Sequence, residues 1–356
     1  TLLTIMDFSD TVRELLSAKA RESGDDSSWA VLCGGLLQEE SHNLSTLDEL
    51  SLHLYQCIQS CVSSKVPKDS RFDKGILERP FYLALVEMLK TCFENGGEFP
   101  QSVKQSKLFL LENTNLQRLK EIEEEMKRIL DLWNVFPNVF DHWHKDTLDD
   151  YLFKFLTPRD LNTFLGLRTT TGSATDLPPS LIECIDSFTR RHVKRVRPNI
   201  VNTLTVGAKA FSKHSHRDVS NSFWGVCTGC ESDSQSLLSS VFFNHLPYHR
   251  QTCESVNLIA EKQKNEQANQ ILAKVITDAA WINLHSLPHE TRVFEVRNSR
   301  GYGARWEIQP SQSQSEGDSG IENSPSEDQR NRNRTIVFRG FLEPQMEDGH
   351  EKGWIH

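Results

Sequence analysis

The stretch KHSHRDVSNSFWGVCTGC gathers ammonium, imidazole, guanidinium and thiol groups into one short polar run. Its candidate ligand-binding residues are Lys213, His214, His216 and Arg217. Histidine titrates near neutral pH, so this grouping suits anion binding, metal ligation or acid–base chemistry. Capping of the preceding helix is the alternative interpretation, because cations complement the negative end of a helix dipole.

A zinc site is a second interpretation of the same region. Its candidate ligands, Cys227, Cys230, His245 and His249, have the types and roughly the spacing of a two-cysteine, two-histidine site. Pro247 lies between the two histidines and would disturb the helix that should present them. We therefore predict no cofactor here, with zinc as the alternative.

Further polar and aromatic blocks follow towards the C-terminus: INLHSLPHE, GYGARW and FRGFLEPQMEDGHEKGWIH. Their candidate ligand-binding residues are His285, His289, Arg305, Trp306, Glu343, Glu347, Asp348 and His350. An arginine can bind a carboxylate or phosphate, and a tryptophan ring can pack against the bound group. We expect the histidines and carboxylates to position the ligand or carry protons, and all of these side chains to share one polar, anion-binding pocket.

These blocks, together with LTVGAKAFSKHSHR and FWG, resemble an uncharacterised eukaryotic protein family. The resemblance covers about residues 178–356 apart from a polar insert, and it implies that the blocks belong to one module. It brings no activity and no catalytic roles. The Cys227–Cys230 pair is not part of the family's pattern, which further disfavours the zinc interpretation.

The first half of the sequence predicts helix after helix. The clearest is NLQRLKEIEEEMKRILDLW, whose apolar residues fall on one face with the charged residues largely opposite. Thr46 and Glu49 have capping-box spacing at the start of another helix, while Pro80 and the Gly96–Gly97 pair bound a third. Later helices are predicted over residues 146–156, 160–165, 179–197, 200–213 and 264–283.

Near residue 291 the hydrophobic period changes from 3.6 to 2. TRVFEVRNSRGYGARWEIQ predicts a strand, a turn around 299–303 and a second strand, and TIVFRGFLEPQ predicts a third. The insert between them, at about 310–334, has too little apolar surface to offset ordering entropy, so we expect it to be disordered. Because the third strand needs the first two as partners, the insert interrupts one small sheet.

These patterns predict a mainly α protein with a small C-terminal antiparallel β element, which is an α+β fold. The predicted organisation is a helical N-terminal region over 1–167, a linker or exposed loop over 168–179, and an α+β module over 180–356. The TTTGSATDLPP segment, rich in turn-forming residues, motivates the boundary.

Composition limits the partners and the compartment. The net charge of −9 disfavours broad nucleic-acid binding, although the basic run RRHVKRVR (190–197) keeps RNA binding as an alternative. No apolar run reaches the roughly 20 residues that span a bilayer, so we expect no membrane contact. Eight cysteines, most within apolar helical patterns, favour a reducing compartment, the cytoplasm or nucleus.

The leading functional hypothesis is a soluble intracellular interaction or scaffold protein. Its N-terminal helices would bind protein partners, since EEEMKRILDLWNVFPNVF is similar to peptide-binding helical superhelices. Its C-terminal module would bind a small anionic ligand. The competing hypothesis is a metal-dependent hydrolase that uses the same histidines and carboxylates.

Overall fold

The computed structural model describes residues 5–22, 28–40, 45, 47–65, 75–104, 116–135, 142–170, 172–192, 203–215, 223–224, 250–310 and 334–344. Within these ranges the chain is mainly helical, with a small four-stranded antiparallel sheet near its C-terminal end. The predicted α+β class is therefore confirmed. None of the helices in these ranges combines the length and the apolar character needed to cross a membrane.

Helices dominate the described residues before the sheet. They are α1 (Ile5–Ala20), α2 (Ser28–Leu37), α3 (Glu49–Lys65), α4 (Tyr82–Glu94), α5 (Gln101–Lys104), α6 (Leu116–Val135), α7 (His142–Asp150), α8 (Asp160–Phe164), α9 (Leu181–Thr189), α10 (Val206–His214) and α11 (Arg250–Thr277). A single π-helical turn, Tyr151–Phe155, continues α7. The apolar stripes of these helices meet in one hydrophobic core that also includes one face of the sheet.

The start of α3 and the end of α4 show how local sequence sets helix bounds. Asp48 caps α3, since its Oδ1 accepts the backbone N–H of Ser51 at 2.8 Å. The predicted partner Thr46 lies outside the described residues. After α4, Gly96 and Gly97 take φ values of 68° and 88°, a conformation that glycine adopts without strain, so the predicted stop is confirmed.

The sheet is a meander of four antiparallel strands. They are β1 (Ala279–Ser286), β2 (Arg292–Asn298), β3 (Gly303–Pro310) and β4 (Arg334–Leu342), paired in chain order. The strand–turn–strand and the later third strand predicted from the sequence are β2, β3 and β4. The insert predicted to be disordered lies mostly outside the described residues, and β4 pairs with β3 after it, as expected.

One face of the sheet is apolar and packs against helices. Phe294, Trp306 and Phe338 are buried on this face, and the ring of Phe338 meets that of Phe188 on α9 at 4.8 Å between centroids. The Trp306 indole donates a hydrogen bond of 3.1 Å to the Cys184 carbonyl at the same helix. The helices therefore fix the sheet from one side and leave the other face for polar side chains.

Three helix predictions need correction, and the one over 200–213 begins only at Val206, after the N-cap Thr205. The helix expected over 264–283 ends at Thr277, and Ala279–Ser286 forms β1 instead. AAWINLHS is too short for its period to separate helix from strand, and pairing with β2 decides the outcome. The helix expected over 179–197 ends at Thr189, after starting with a capping box between Ser180 and Glu183.

The segment 168–179 was expected to be a linker or exposed loop, and its described residues form a loop, exposed at Gly172 and Thr175, that is attached to the edge of the sheet. The Arg168 amide donates to the Ile282 carbonyl at 2.7 Å, and the Ala174 amide donates to the Leu284 carbonyl at 2.9 Å. Thr169 and Leu177 are buried. The backbone bonds that β1 has left unpaired at the edge of the sheet explain this attachment.

The two predicted regions also pack together. Helix α3 of the first region contacts α9 and α11 of the second. A buried hydrogen bond of 2.6 Å joins the hydroxyl groups of Ser51 and Thr189 across this contact.

Candidate functional site on the polar face of the sheet

A buried carboxylate lies at the centre of the sheet's polar face. Glu295 on β2 is directly opposite Asn283 on β1 and Arg305 on β3, and side chains opposite each other in antiparallel strands share a face. The Arg305 Nε donates to Glu295 Oε1 at 2.6 Å, and its Nη2 contacts the same oxygen. The Glu295 side chain is only 3% exposed.

Arg297 is the second cation on this carboxylate. It lies two residues along β2, on the same face, and its Nε donates to Glu295 Oε2 at 3.3 Å. Its Nη1 donates to the carbonyls of Gly301 and Glu343 at 2.8 and 3.0 Å. This guanidinium is 4% exposed, so its donors are used to bind the chain itself.

His285 is the third side chain that lies against the Glu295 carboxylate. Its Nε2 lies 3.3 Å from Glu295 Oε1, although the ring is not aligned for a hydrogen bond. The His285 side chain is 17% exposed and that of Arg305 is 27% exposed. We name His285, Glu295, Arg297 and Arg305 the sheet cluster. Its carboxylate is buried, while one imidazole and one guanidinium reach the surface.

The charge state of Glu295 follows from this environment. Burial alone would raise its pKa, but His285, Arg297 and Arg305 outweigh burial and lower the pKa to about 2. Glu295 is therefore an anion at neutral pH and a poor proton acceptor. Its physical role is to fix the position of the side chains around it.

Neutral hydroxyl and amide groups border the cluster on the β1 side. Ser173 Oγ donates to Asn283 Oδ1 at 2.8 Å, and Asn283 Nδ2 donates to Thr170 Oγ1 at 2.9 Å. On the β3 side, Glu307 forms an ion pair of 2.9 Å with Arg339. Among the described residues of this face, the guanidinium groups of Arg297, Arg305 and Arg339 therefore lie beside the carboxylates of Glu295 and Glu307.

A second imidazole–carboxylate pair lies at the C-terminal end of α10. His214 Nδ1 is 3.1 Å from Glu343 Oε1, and the ring packs near Trp224 and Phe341. Arg297 connects this pair to the sheet cluster, because it binds the Glu343 carbonyl as well as the Glu295 carboxylate. Residues from α10, from the three strands and from the end of β4 therefore belong to one polar network.

The structure brings together four of the residues selected from the sequence. His285 and Arg305 meet at Glu295, and His214 meets Glu343. Lys213 is exposed on α10. His289 is exposed after β1 and has a φ of 66°.

Trp306 does not belong to the site, so its selection was wrong. It follows Arg305 in β3, and successive strand residues point to opposite faces. Its ring is fully buried on the apolar face, where it bonds to the Cys184 carbonyl. Trp306 therefore cannot pack against a ligand on the polar face.

Nine selected residues lie outside the described residues: His216, Arg217, Cys227, Cys230, His245, His249, Glu347, Asp348 and His350. Among the residues that the structure does describe, no three or more histidine, cysteine, aspartate or glutamate side chains form a group that could hold a metal ion.

Sequence reasoning missed Glu295 and Arg297, the two most buried members of the cluster. Their alternation in VFEVRN is typical of a strand with one solvated face, and the sequence was interpreted in that way. The signal that could have found them depends on recognising β1 as a strand. Two charged residues alternate in a strand that has partners on both sides, where burying an unpaired charge is costly.

Comparison with known proteins gives one partial likeness. The family model of the CdiA C-terminal tRNase toxin domain matches residues 259–313. This range covers the later part of α11 and the strands β1–β3, and so contains every member of the sheet cluster. No match to the chain was found among curated proteins or among solved structures.

Proposed function

We propose that the polar face of the C-terminal sheet binds the phosphodiester backbone of RNA. The observation that carries the proposal is the arrangement around Glu295, a buried anion that holds Arg305 and His285 at the surface. The conformational entropy of these two side chains is already lost when the protein folds. They are therefore in place before a ligand arrives, which favours binding.

Arg305 has the geometry to bind a phosphate while keeping its contact with Glu295. It uses Nε and Nη2 for the carboxylate, and its Nη1 makes no hydrogen bond to any residue within the described ranges. A guanidinium offers planar, directed donors that match phosphate oxygens.

The likeness to a tRNase toxin domain supports RNA as the source of the phosphate. That name describes the matched family, and its extension to this chain is part of the proposal. The match covers the strands that carry the sheet cluster. The net charge of −9 argues against a long basic track, but a local site needs only one or two phosphate contacts.

This surface differs from the basic run that first suggested RNA binding. Only residues up to His192 of that run are described, and there Arg190 forms an ion pair with Asp186 on α9. A protein partner for the N-terminal helices and a metal-dependent hydrolase activity both stay predictions.

The test is binding of a fluorescent single-stranded RNA oligonucleotide of mixed sequence, measured by anisotropy at low salt. Arg305→Ala should weaken binding roughly tenfold and reduce the slope of affinity against salt by about one unit. The matched control is Arg128→Ala, which removes an exposed arginine from α6 and should leave affinity unchanged. An absence of binding by the unaltered chain, or equal affinity of Arg305→Ala, would contradict the proposal.

A further inference from the structure

We propose that Cys57 and Cys61 on α3 bind one monovalent copper ion between their sulfur atoms, with His53 as a supporting hydrogen-bond donor. This site lies on the N-terminal helices, away in the chain from the sheet cluster, and it does not depend on the proposed function. The observation that carries the proposal is the spacing of three metal-binding side chains, each one turn from the next on the same face of one helix.

Exposure separates the cysteines of the described residues into two groups. Cys33, Cys92 and Cys184 are buried, and burial raises the pKa of each thiol, that of Cys33 to about 12. Buried thiols of this kind behave as small apolar core residues. Cys57 and Cys61 are only partly buried, so this pair, unlike the other three cysteines, is open to an ion from solvent.

The three side chains form a row along α3. Residues four apart in a helix lie one above the other, with about 5–6 Å between their Cβ atoms. His53 is exposed, and its Nε2 and Nδ1 atoms lie 3.8 and 3.9 Å from the Cys57 sulfur. Burial raises the pKa of Cys57, and the nearby Cys61 thiol raises it further. Cys57 therefore lies between an imidazole and a second thiol.

This geometry favours an ion that accepts two ligands in line. A metal–thiolate bond is about 2.3 Å long, so an ion between two sulfurs needs them about 4.6 Å apart. Thiols one helical turn apart can turn towards each other to reach that separation. Soft thiolate ligands select monovalent copper. Zinc takes four ligands in structural sites, and the described residues contain no group of three or more suitable side chains, which disfavours zinc here.

Binding releases protons and leaves a negatively charged site. Each thiol loses its proton to solvent as its sulfur bonds to the ion, and the copper stays monovalent throughout, so no electron is transferred. Two thiolates and one Cu⁺ together carry one negative charge. An N–H of His53 can donate to the Cys57 sulfur and stabilise that charge. Groups that support a metal ligand in this way commonly change the affinity for the metal by about 10–100-fold.

The experiment titrates the full chain with Cu⁺ under nitrogen, in competition with a chromogenic copper chelator. Cys227 and Cys230 are replaced by serine in the starting protein, because a second pair of thiols close in sequence could add its own signal. The starting protein should retain one Cu⁺ per chain. X-ray absorption should show two sulfur atoms bound to that ion.

Substitutions then identify the ligands. Cys57→Ser and Cys61→Ser should each lower the affinity for Cu⁺ by at least about a hundredfold, because a hydroxyl is a poor ligand for a soft ion. His53→Ala should lower the affinity roughly tenfold. Gln56→Ala is the matched control, because it changes an exposed side chain on the same helix and should bind Cu⁺ like the starting protein. Affinity should rise with pH, because the ion displaces thiol protons.

Three outcomes would overturn the proposal: no retained Cu⁺, three or more sulfur atoms around the ion, or an affinity that neither cysteine substitution lowers. If a serine variant fails to fold, alkylation of the starting protein decides instead. Bound Cu⁺ should protect Cys57 and Cys61 from iodoacetamide, as mapped by mass spectrometry. Equal alkylation of both cysteines with and without Cu⁺ would also overturn the proposal.

Discussion

Two glutamates in this protein, Glu183 and Glu295, are each bound by two arginines, and they have different roles. Glu183 on α9 lies 3.6 Å from Arg79 and 3.3 Å from Arg334, and its carboxylate also accepts the Ser180 amide at 2.6 Å. We name Arg79, Glu183 and Arg334 the core cluster. Both of its arginines are 6% exposed.

Both arginines of the core cluster donate hydrogen bonds to backbone carbonyls of the chain itself. Arg334, at the start of β4, donates to the carbonyls of Leu177 and Pro178 at 2.6 and 2.8 Å. Arg79 precedes α4 and donates to the Gly35 carbonyl of α2 at 3.3 Å. The cluster thus joins the N-terminal helices, α9 and the last strand, which is a structural role.

The sheet cluster has the same types of ion but a different exposure. Its carboxylate is as buried as a core residue, yet His285 and Arg305 reach the surface. A buried ion pair by itself therefore does not indicate a functional site. A site is indicated where the buried member holds side chains that stay partly exposed, as His285 and Arg305 do.

The largest expected change in the free energy of unfolding comes from a substitution in the core cluster. Glu183→Ala leaves two buried guanidinium groups without their carboxylate and removes half of the α9 capping box, so it should reduce the free energy of unfolding by about 3–5 kcal/mol. Urea unfolding followed by circular dichroism measures the change. A loss below about 1 kcal/mol would contradict the role assigned to this cluster.

The next largest effect is the contribution of Glu295 to the pH dependence of folding stability. Its pKa is lowered from 4.5 to about 2 on folding, so the folded state binds this proton less tightly than the unfolded state does. The resulting stability is fully present above about pH 5 and is lost as the pH falls towards 2, with a total of about 3 kcal/mol.

The measurement for that prediction is the free energy of unfolding against pH, for the unaltered chain and for Glu295→Gln. Glu183 also has a lowered pKa, because Arg334 and Arg79 outweigh its burial, so both chains should lose stability in acid. The unaltered chain should lose more. Parallel curves between pH 5 and pH 2.5 would contradict the charge state assigned to Glu295.

The smallest expected effect sharpens the contrast between the arginines. Arg305→Ala should cost about 1 kcal/mol or less, because the side chain is partly exposed and Glu295 keeps Arg297 and His285. Arg334→Ala, which leaves two carbonyls and Glu183 without a buried donor, should cost clearly more under the same conditions. Equal losses would remove the distinction between the two clusters.

The sequence by itself determined α4 and α6, because their apolar residues repeat at 3.6 and α4 ends at the glycine signal Gly96–Gly97. It also determined β2, β3 and β4, whose alternation is local, and it identified His285 and Arg305 as chemically interesting. These are properties of neighbouring residues, which a linear pattern records.

Only the tertiary structure decided that Glu295 and Arg297 are buried, that Trp306 faces the helices, and that residues 168–170 and 172–179 attach to the sheet. Each of these outcomes depends on strand register and on which face the helices cover. Register couples residues far apart in the chain, such as Ser173 and Asn283, through contacts that no local pattern contains. For the same reason the site became recognisable only when three strands lay side by side.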